Sequence, residues 1–485
     1  MSEKIPMVEE LVDTKVGKVG WFGGKGNDLV RFVYWDGRFV FLKDAVLPVL
    51  NQGSHYSHAF FEGQRFYRMD DGRWVSFRYP EHFTRLIASY WALKGSDILI
   101  DIVKEIDVEG RGIEVETPSI EELYDEAAKC YDAKRIPVYT KIDAKDKGFA
   151  RKIYEKIREK IDCVILEDRI IKILLVMYAD GRSYDVADLM DLTKQLFAIN
   201  NLEQLDANSF YYRPYATISN SMLKLSTLEK PVTFGLFPLA WGPYLGTGEV
   251  NMVVVPWRRI TDEQFKTYAK LAGHYTNSVL STNLAKVFGF SEGIMLTPDG
   301  YVGEGSAMNI FIVKNGVVYT PPLSEGILPG ITRDSVIKLL RYKQYEVVEK
   351  RLSLDELLSA DEVFLTGTAA EVMPLNSVSI PDFEKMKSYD SIFSPTGEKM
   401  KIEPSEFRKV SFNNPKIANE ARKVFFDLFN PRTDVNKEFG SWLQEMPSDS
   451  KEKIQMMKKA RNIAKEEVRA EIEKRMKRCQ EAKVF

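Results

Sequence analysis

The sequence predicts a mixed α/β (α+β) protein of more than one domain, and three observations lead there. Tight-turn pairs stand between β-prone runs: Asp36-Gly37 inside 31–42, Asp71-Gly72 ahead of 74–77, and Asn315-Gly316 between 309–313 and 317–320. Such pairs supply the positive φ values that a two-residue hairpin needs. Apolar residues recur at helical spacing in 184–199, 275–288, 333–341 and 415–429. The 485 residues include 28 Phe, 22 Tyr and 7 Trp, apolar mass for more than one core. Strands and helices interleave along the chain and no internal repeat is visible.

In chain order, the hairpins come first. Residues 95–180 then change character, with 12 Asp/Glu against 3 Lys/Arg in 97–132 and 10 Lys/Arg against 4 Asp/Glu in 133–160. Strand-like runs at 137–142 and 170–178 give this block the makings of a small subdomain. Runs 231–238 and 252–256 are also strand-like. The end, 447–485, carries 12 Lys/Arg and 7 Asp/Glu, with Ile454, Met457, Ala464, Val468, Ile472 and Met476 near one helical face. It reads as a charged helical extension, docked on its own protein or fraying at its end, with a partner-binding or coiled-coil helix as the alternative.

Composition narrows the function. A net charge of -2 gives no bulk attraction to nucleic acid or anionic membrane. The longest apolar run, around 170–179, contains Lys172 and falls short of the about 20 residues a membrane span needs. Cys130, Cys163 and Cys479 are too scattered for a disulfide framework or a zinc cluster. His55, His58, His82 and His274 are equally dispersed, so no metal site is expected. The expectation is a soluble cytoplasmic protein with no nucleic-acid or membrane partner.

Four local features could carry chemistry. In 328–336, Leu-Pro-Gly-Ile-Thr-Arg-Asp-Ser-Val, a loop opens into a helix with Thr332 as its cap, and helix starts attract phosphate. Thr366-Gly367-Thr368-Ala369 forms a glycine-containing turn, read as strand to helix. Glu304 sits between Gly303 and Gly305, where another group can approach closely. Lys270 stands alone among small and apolar residues, and burial would make it a Schiff-base nucleophile. Each is ordinary by itself: a capped helix, a turn, a surface glutamate, a solvated lysine.

Together they form an ordered series. Phe61-Glu62-Gly63 with Arg65, Glu81-His82 with Arg85-Leu86, Tyr211 with Arg213-Pro214, and Trp241–Gly246 precede Lys270 with Tyr275. Gly303-Glu304-Gly305 with Asn309-Ile310-Phe311, then 328–334 and 367–371, follow it. Over 30–94, 181–380 and 412–446 the chain resembles the fold-type IV pyridoxal-phosphate enzymes, and among them the branched-chain amino acid aminotransferases.

The resemblance implies transamination between an apolar L-amino acid and 2-oxoglutarate with pyridoxal 5'-phosphate as cofactor. Lys270 would be the Schiff-base lysine and proton shuttle, Glu304 the carboxylate at the pyridine nitrogen, and Tyr275 the phenol near the ring oxygen. Arg85, the Ile331-Thr332 helix start and Thr368 would hold the phosphate. On the substrate side, Tyr211 with the backbone at Thr368 and Ala369 would take the α-carboxylate. Tyr56, Phe61, Trp241 and Tyr244 would wall an apolar pocket, and Arg213 would meet a distal carboxylate.

The implied architecture is a 1–29 extension and a small domain over 30–220 with the 95–180 insertion. A large cofactor domain over 221–446, holding Lys270 and carrying a 381–411 insertion, and the 447–485 tail complete it. Family members are at least homodimers, with the cofactor in the cleft between domains. The chain departs from the pattern at Ala307-Met308, where the family usually has Gly-Glu. A D-amino acid or amine aminotransferase, an aminodeoxychorismate lyase-like enzyme, or a non-catalytic scaffold are the alternatives.

Overall fold

The first hairpin forms as its turn chemistry demands. Asp36 and Gly37 take φ of 47° and 77°, and Phe32–Trp35 pairs with Arg38–Phe41 in the register that leaves those two residues as the turn. The same chemistry closes Asn309–Lys314 onto Val317–Thr320 through Asn315 and Gly316, with φ of 51° and 80°. The computed structural model describes residues 31–94, 106, 108–111, 113–116, 119–129, 137–159, 164–174, 176–219, 223–227, 230–239, 248–381 and 407–481.

The chain divides into two compact units. The first comprises Met1–Gly242, Ala269–Ala272 and Phe439–Phe485. Its main sheet runs Arg38–Phe41, Phe32–Trp35, Val232–Leu239, Ser209–Ile218, Gln64–Arg68, Trp74–Phe77 and Leu443–Glu445, with Ala59–Phe61 pairing off Ser209–Ile218. The core beside it joins the helices Tyr79–Lys94 and Val186–Asn200, through Phe83, Leu86, Leu189, Leu196 and Phe197, to Phe66, Phe210 and Phe234.

The 95–180 block holds a sheet of its own in the order Val115–Glu116, Pro137–Asp143, Ile170–Leu174, Val164–Glu167. Ala150, Ile153 and Ile157 of the helix Lys147–Arg158 bury against Ile142 and Ile171 there. The run expected at 170–178 is two strands. Met177–Ala179 turns through Asp180 and Gly181, φ 55° and 75°, to pair with Arg182–Tyr184. This is another Asp-Gly hairpin, absent from the expectations above.

The 447–485 segment is two helices, Ser450–Ile463 and Glu466–Glu481. They part at Ala464, whose ψ of 151° ends the first. Met457, Ala460, Ala464, Val468 and Ile472 are buried in the first unit's core. A fully buried aliphatic or Met side chain contributes about 1.5–3 kcal/mol, so this stripe is structural.

The second unit comprises Pro243–Tyr268 and Gly273–Glu438 and holds two five-stranded sheets. One runs Val302–Gly305, Glu292–Leu296, Asn251–Arg258, Ser377–Pro381, Phe407–Ser411. The other runs Val347–Glu349, Val317–Thr320, Asn309–Lys314, Glu362–Gly367, Glu371–Pro374. The helices Tyr275–Val287, Ile331–Tyr342 and Lys416–Asp427 match three periodic stretches of the sequence. Of the expected 381–411 insertion, Phe407–Ser411 pairs with Ser377–Pro381, and 382–406 lie outside the described residues.

The compact division falls at 242 rather than at 220, because Val232–Leu239 pairs along its whole length with Ser209–Ile218. Lys270 also goes with the first unit. The Phe61 amide donates to the Lys270 carbonyl at 3.2 Å, and the Lys270 amide donates to Ser89 Oγ at 2.8 Å. Among the described residues no helix is long and apolar enough to cross a membrane, and no His/Cys/Asp/Glu group could hold a metal ion.

Candidate active site

In the first unit the site is built from one strand pair, one helix and the short Lys270 segment. Tyr211 and Arg213 alternate along Ser209–Ile218 and so share a face. The buried Tyr211 phenol needs Gly63, since a Cβ there would lie 1.8 Å from Tyr211 Oη. Arg213 donates through Nη2 to Tyr211 Oη at 3.3 Å. Its guanidinium lies 4.7 Å from the Phe61 ring and 5.4 Å from the Tyr211 ring. Arg213 Nε is buried with no hydrogen-bond partner, and no carboxylate among the described residues pairs with this side chain.

Lys270 Nζ stands 5.3 Å from the same Phe61 ring. Burial, reinforced by Arg85, pushes the amine down to about 8 against the opposing pull of Glu62. Arg85, on the helix Tyr79–Lys94, is buried and forked onto Glu62: Nε donates to Oε1 at 2.5 Å and Nη2 to Oε2 at 2.8 Å. His82 Nδ1 lies 3.0 Å from Glu62 Oε2. Burial opposes ionisation of Glu62, but Arg85 and His82 outweigh it and hold the carboxyl below the usual range.

In the second unit Glu304 lies on Val302–Gly305, only 5% exposed. Asn309 Nδ2 donates to Glu304 Oε2 at 2.9 Å and to the Leu328 carbonyl at 2.9 Å, and the Leu328 amide donates to Oε2 at 3.2 Å. The Arg259 guanidinium meets the other oxygen, with Nε 2.8 Å from Oε1. The helix Ile331–Tyr342 begins directly after this loop with Ile331 and Thr332 buried. Its N-cap is Gly330 and not the expected Thr332. A Cβ at 330 would fall 2.0 Å from Asn309 Oδ1, so the position the loop needs for Asn309 excludes a side-chain cap.

Thr368 and Ala369 sit half-buried in a turn that joins Glu362–Gly367 to Glu371–Pro374. It leads into a strand and not into the expected helix, because Gly367 and Glu371 pair across it, with Glu371 at φ 59°. Met308 packs beneath: its Cγ is 3.3 Å from where a Gly367 Cβ would stand, and it is buried in the apolar core with Met252 and Leu365.

Tyr275 is the first residue of its helix and half-buried. Tyr56, 42% exposed at the end of the short helix Gln52–Tyr56, lies 5.6 Å from the His58 ring. Trp241 and Tyr244 lie outside the described residues. The fold thus gathers Lys270, Phe61, Tyr211, Arg213 and Arg85 in one unit, and Glu304 with the loop into Ile331 and Thr332 in the other. Two charged residues without an assigned role stand among them. Glu62 is legible in the sequence only as part of a motif, and Arg259 carries no signal beyond the pair Arg258-Arg259.

The family model for "Amino-transferase class IV" matches residues 167–378. A probable branched-chain-amino-acid aminotransferase of Aquifex aeolicus is 35% identical over 229 residues, 47% of this chain and 68% of the relative. The branched-chain-amino-acid aminotransferase of Pseudomonas aeruginosa is 37% identical over 261 residues, 53% of this chain and 74% of that protein. For the Escherichia coli branched-chain-amino-acid aminotransferase the figures are 37% over 203 residues, 40% and 63%.

Among solved structures, an Escherichia coli branched-chain amino acid aminotransferase matches with a TM-score of 0.56 at 24% identity, covering 86% of this chain and 100% of the other. The branched-chain amino acid aminotransferase of Thermobaculum terrenum, in its PLP-bound holo form, matches with 0.54 at 19%, covering 86% and 99%. At that identity the likeness speaks to the fold, which is the two-domain fold-type IV architecture. The sequence relatives speak to descent: the chain belongs to the class IV aminotransferase family.

Proposed function

We propose that the chain transfers an amino group between a branched-chain-like apolar L-amino acid and 2-oxoglutarate. As a class IV aminotransferase it works with pyridoxal 5'-phosphate, whose protonated ring serves as the electron sink for the substrate Cα. The donor set fits that cofactor. A half-buried lysine with a lowered proton affinity, a buried carboxylate, and a helix start preceded by a glycine loop are the three groups it requires.

Lys270 Nζ would hold the cofactor and then carry the Cα proton, a task suited to an amine whose proton affinity is near the working pH. Glu304 would accept the ring N–H. Ile331, Thr332, Thr368 and Arg85 would take the phosphate, with Tyr275 at the ring oxygen. Tyr211, Thr368 and Ala369 would orient the substrate carboxylate, while Phe61 with Tyr56 and Tyr244 would present an apolar wall.

The observation that carries the acceptor is Arg213, a guanidinium whose Nε is buried without a partner beside Tyr211 and Phe61. A half-buried guanidinium with an unsatisfied N–H calls for an anion, and the distal carboxylate of 2-oxoglutarate or glutamate would supply one. The test is a panel of leucine, isoleucine, valine, D-alanine and aromatic donors with 2-oxoglutarate or pyruvate as acceptor, read by mass detection of the oxo acid. Leucine-class turnover with 2-oxoglutarate is expected, and turnover of D-alanine alone would sink the proposal.

We further infer a cytoplasmic homodimer. Val46, Val49 and Leu50 stand 71%, 82% and 56% exposed in the stretch before Tyr56, apolar side chains that a second subunit would cover. Light scattering on purified protein tests it, and a monomer at working concentration refutes it.

A further inference from the structure

Arg259 follows the strand Asn251–Arg258, whose parallel register with Glu292–Leu296 slips between Val254 and Arg258. A bulge of this kind re-aims the side chains beyond it. The Arg259 amide then donates to the Leu296 carbonyl at 2.7 Å. Two glycines let the backbone close in around this position. A Cβ on Gly303 would lie 3.5 Å from Arg259 Cβ and 3.0 Å from the Met295 carbonyl oxygen. Gly326 sits at φ +68°, and a Cβ there would meet the Ile260 carbonyl oxygen at 2.5 Å.

Arg259 and Glu304 are 6% and 5% exposed. Arg259 Nε, 2.8 Å from Glu304 Oε1, is also 3.0 Å from the Gly326 carbonyl oxygen. One guanidinium therefore touches the carboxylate and the loop 326–330 that leads into the helix Ile331–Tyr342. Asn309 makes the corresponding link from Oε2 to Leu328. A carboxylate this deeply buried stays ionised only with a paired cation, and without one it takes up a proton.

We propose that Arg259 is the positioning residue for Glu304: it keeps that carboxylate anionic and aimed, and fixes the phosphate-side loop at the same distance. Without Arg259 the carboxylate would be more basic and would draw the ring proton to itself, whereas a Glu304 held by Arg259 would leave that proton on the cofactor nitrogen. The inference rests on the aminotransferase reading and names a residue that reading does not use.

The test loads the full chain with pyridoxal phosphate carrying nitrogen-15 in the ring and follows the ring-nitrogen resonance against pH. Wild type should show a protonated ring at neutral pH. Arg259→Met should move the resonance toward the unprotonated form and lower kcat by about 100-fold, with KM within about threefold. In a Glu304→Gln background the same substitution should change kcat by less than about threefold, because Arg259 acts through that carboxylate.

If Arg259→Met does not fold, Arg259→Lys decides: retained charge with altered geometry should lower the pH at which the ring loses its proton. An unchanged midpoint overturns the inference. So does Arg259→Met with a protonated ring and kcat within about threefold of wild type, or an equal loss of kcat in both backgrounds. Wild type that binds no cofactor or transfers no amino group refutes the aminotransferase reading itself. Wild type that does both beside an unaffected Arg259→Met refutes the role of Arg259 alone.

Discussion

The lowered proton affinity of Lys270 can be measured before any substrate is known. An ordinary lysine titrates near 10.4, so at pH 8 only roughly 0.4% of it is the reactive amine. Lys270, pushed down to about 8, is about half amine at the same pH. That is an enrichment of roughly 100-fold in nucleophile. The assay is trace acetylation of the cofactor-free protein from pH 6 to 11, quantified lysine by lysine after digestion. Peptide mapping is required because Lys94, donating to the carbonyls of Thr227 and Lys230, is also brought to about 8 by burial. Lys270 and Lys94 should both show midpoints near 8. A Lys270 midpoint above about 10 would refute the claim that its surroundings disfavour the ammonium. The sign also fixes a stability effect. The folded state binds fewer protons than the unfolded state between about 8 and 10.4, so this group's contribution becomes more favourable as pH rises through that window.

Glu62→Gln leaves Arg85 as a buried cation without its carboxylate and should cost about 3–5 kcal/mol in urea unfolding. It should also drop the Lys270 midpoint further, since Glu62 is the nearby anion supporting the ammonium. Arg213→Gln should raise KM for 2-oxoglutarate by roughly 10–100-fold, the worth of a charged hydrogen bond, and move KM for leucine far less. Steady-state kinetics with each substrate varied in turn reads both. Gly63→Ala puts a methyl 1.8 Å from Tyr211 Oη and should lower kcat/KM for every donor while circular dichroism stays native.

Local chemistry is legible in the sequence where one residue type has one structural use. Asp36-Gly37 and Asn315-Gly316 form the turns their φ requirements dictate, and the helices Val186–Asn200 and Lys416–Asp427 follow apolar spacing. Thr332 shows where that reasoning stops. A Thr before a helix reads as its cap, but the cap goes to Gly330 because Asn309, far away in sequence, occupies the space a side chain would need. The tail is legible as an apolar stripe. Its depth is not, since the helix Ser450–Ile463 packs on the distant helix Val186–Asn200, and Glu466–Glu481 on Ser450–Ile463 and on the distant strand Arg38–Phe41, with Val468 and Ile472 buried in the same core.

Charge pairing is the larger omission, and it changes how the site is understood. Arg85 and Glu304 stand out by type and motif, yet each is already matched, Arg85 by Glu62 and Glu304 by Arg259. With those pairs cancelled, Arg213 is the guanidinium of the first unit's site that has no carboxylate among the described residues. It lies over the faces of Phe61 and Tyr211, and aromatic faces attract a guanidinium by about 0.5–2 kcal/mol. On the proposed function, that attraction would sustain the charge while an apolar amino-acid side chain occupied the pocket. The distal carboxylate of an entering dicarboxylate would replace it with a stronger, directional partner. One pocket would then take leucine and 2-oxoglutarate in turn, as transamination between unlike substrates demands. An aminotransferase confined to D-alanine and pyruvate would have no use for Arg213. The ratio of 2-oxoglutarate to pyruvate turnover therefore separates the two readings: it should collapse in Arg213→Gln, and a ratio unchanged by that substitution would remove the guanidinium from substrate recognition.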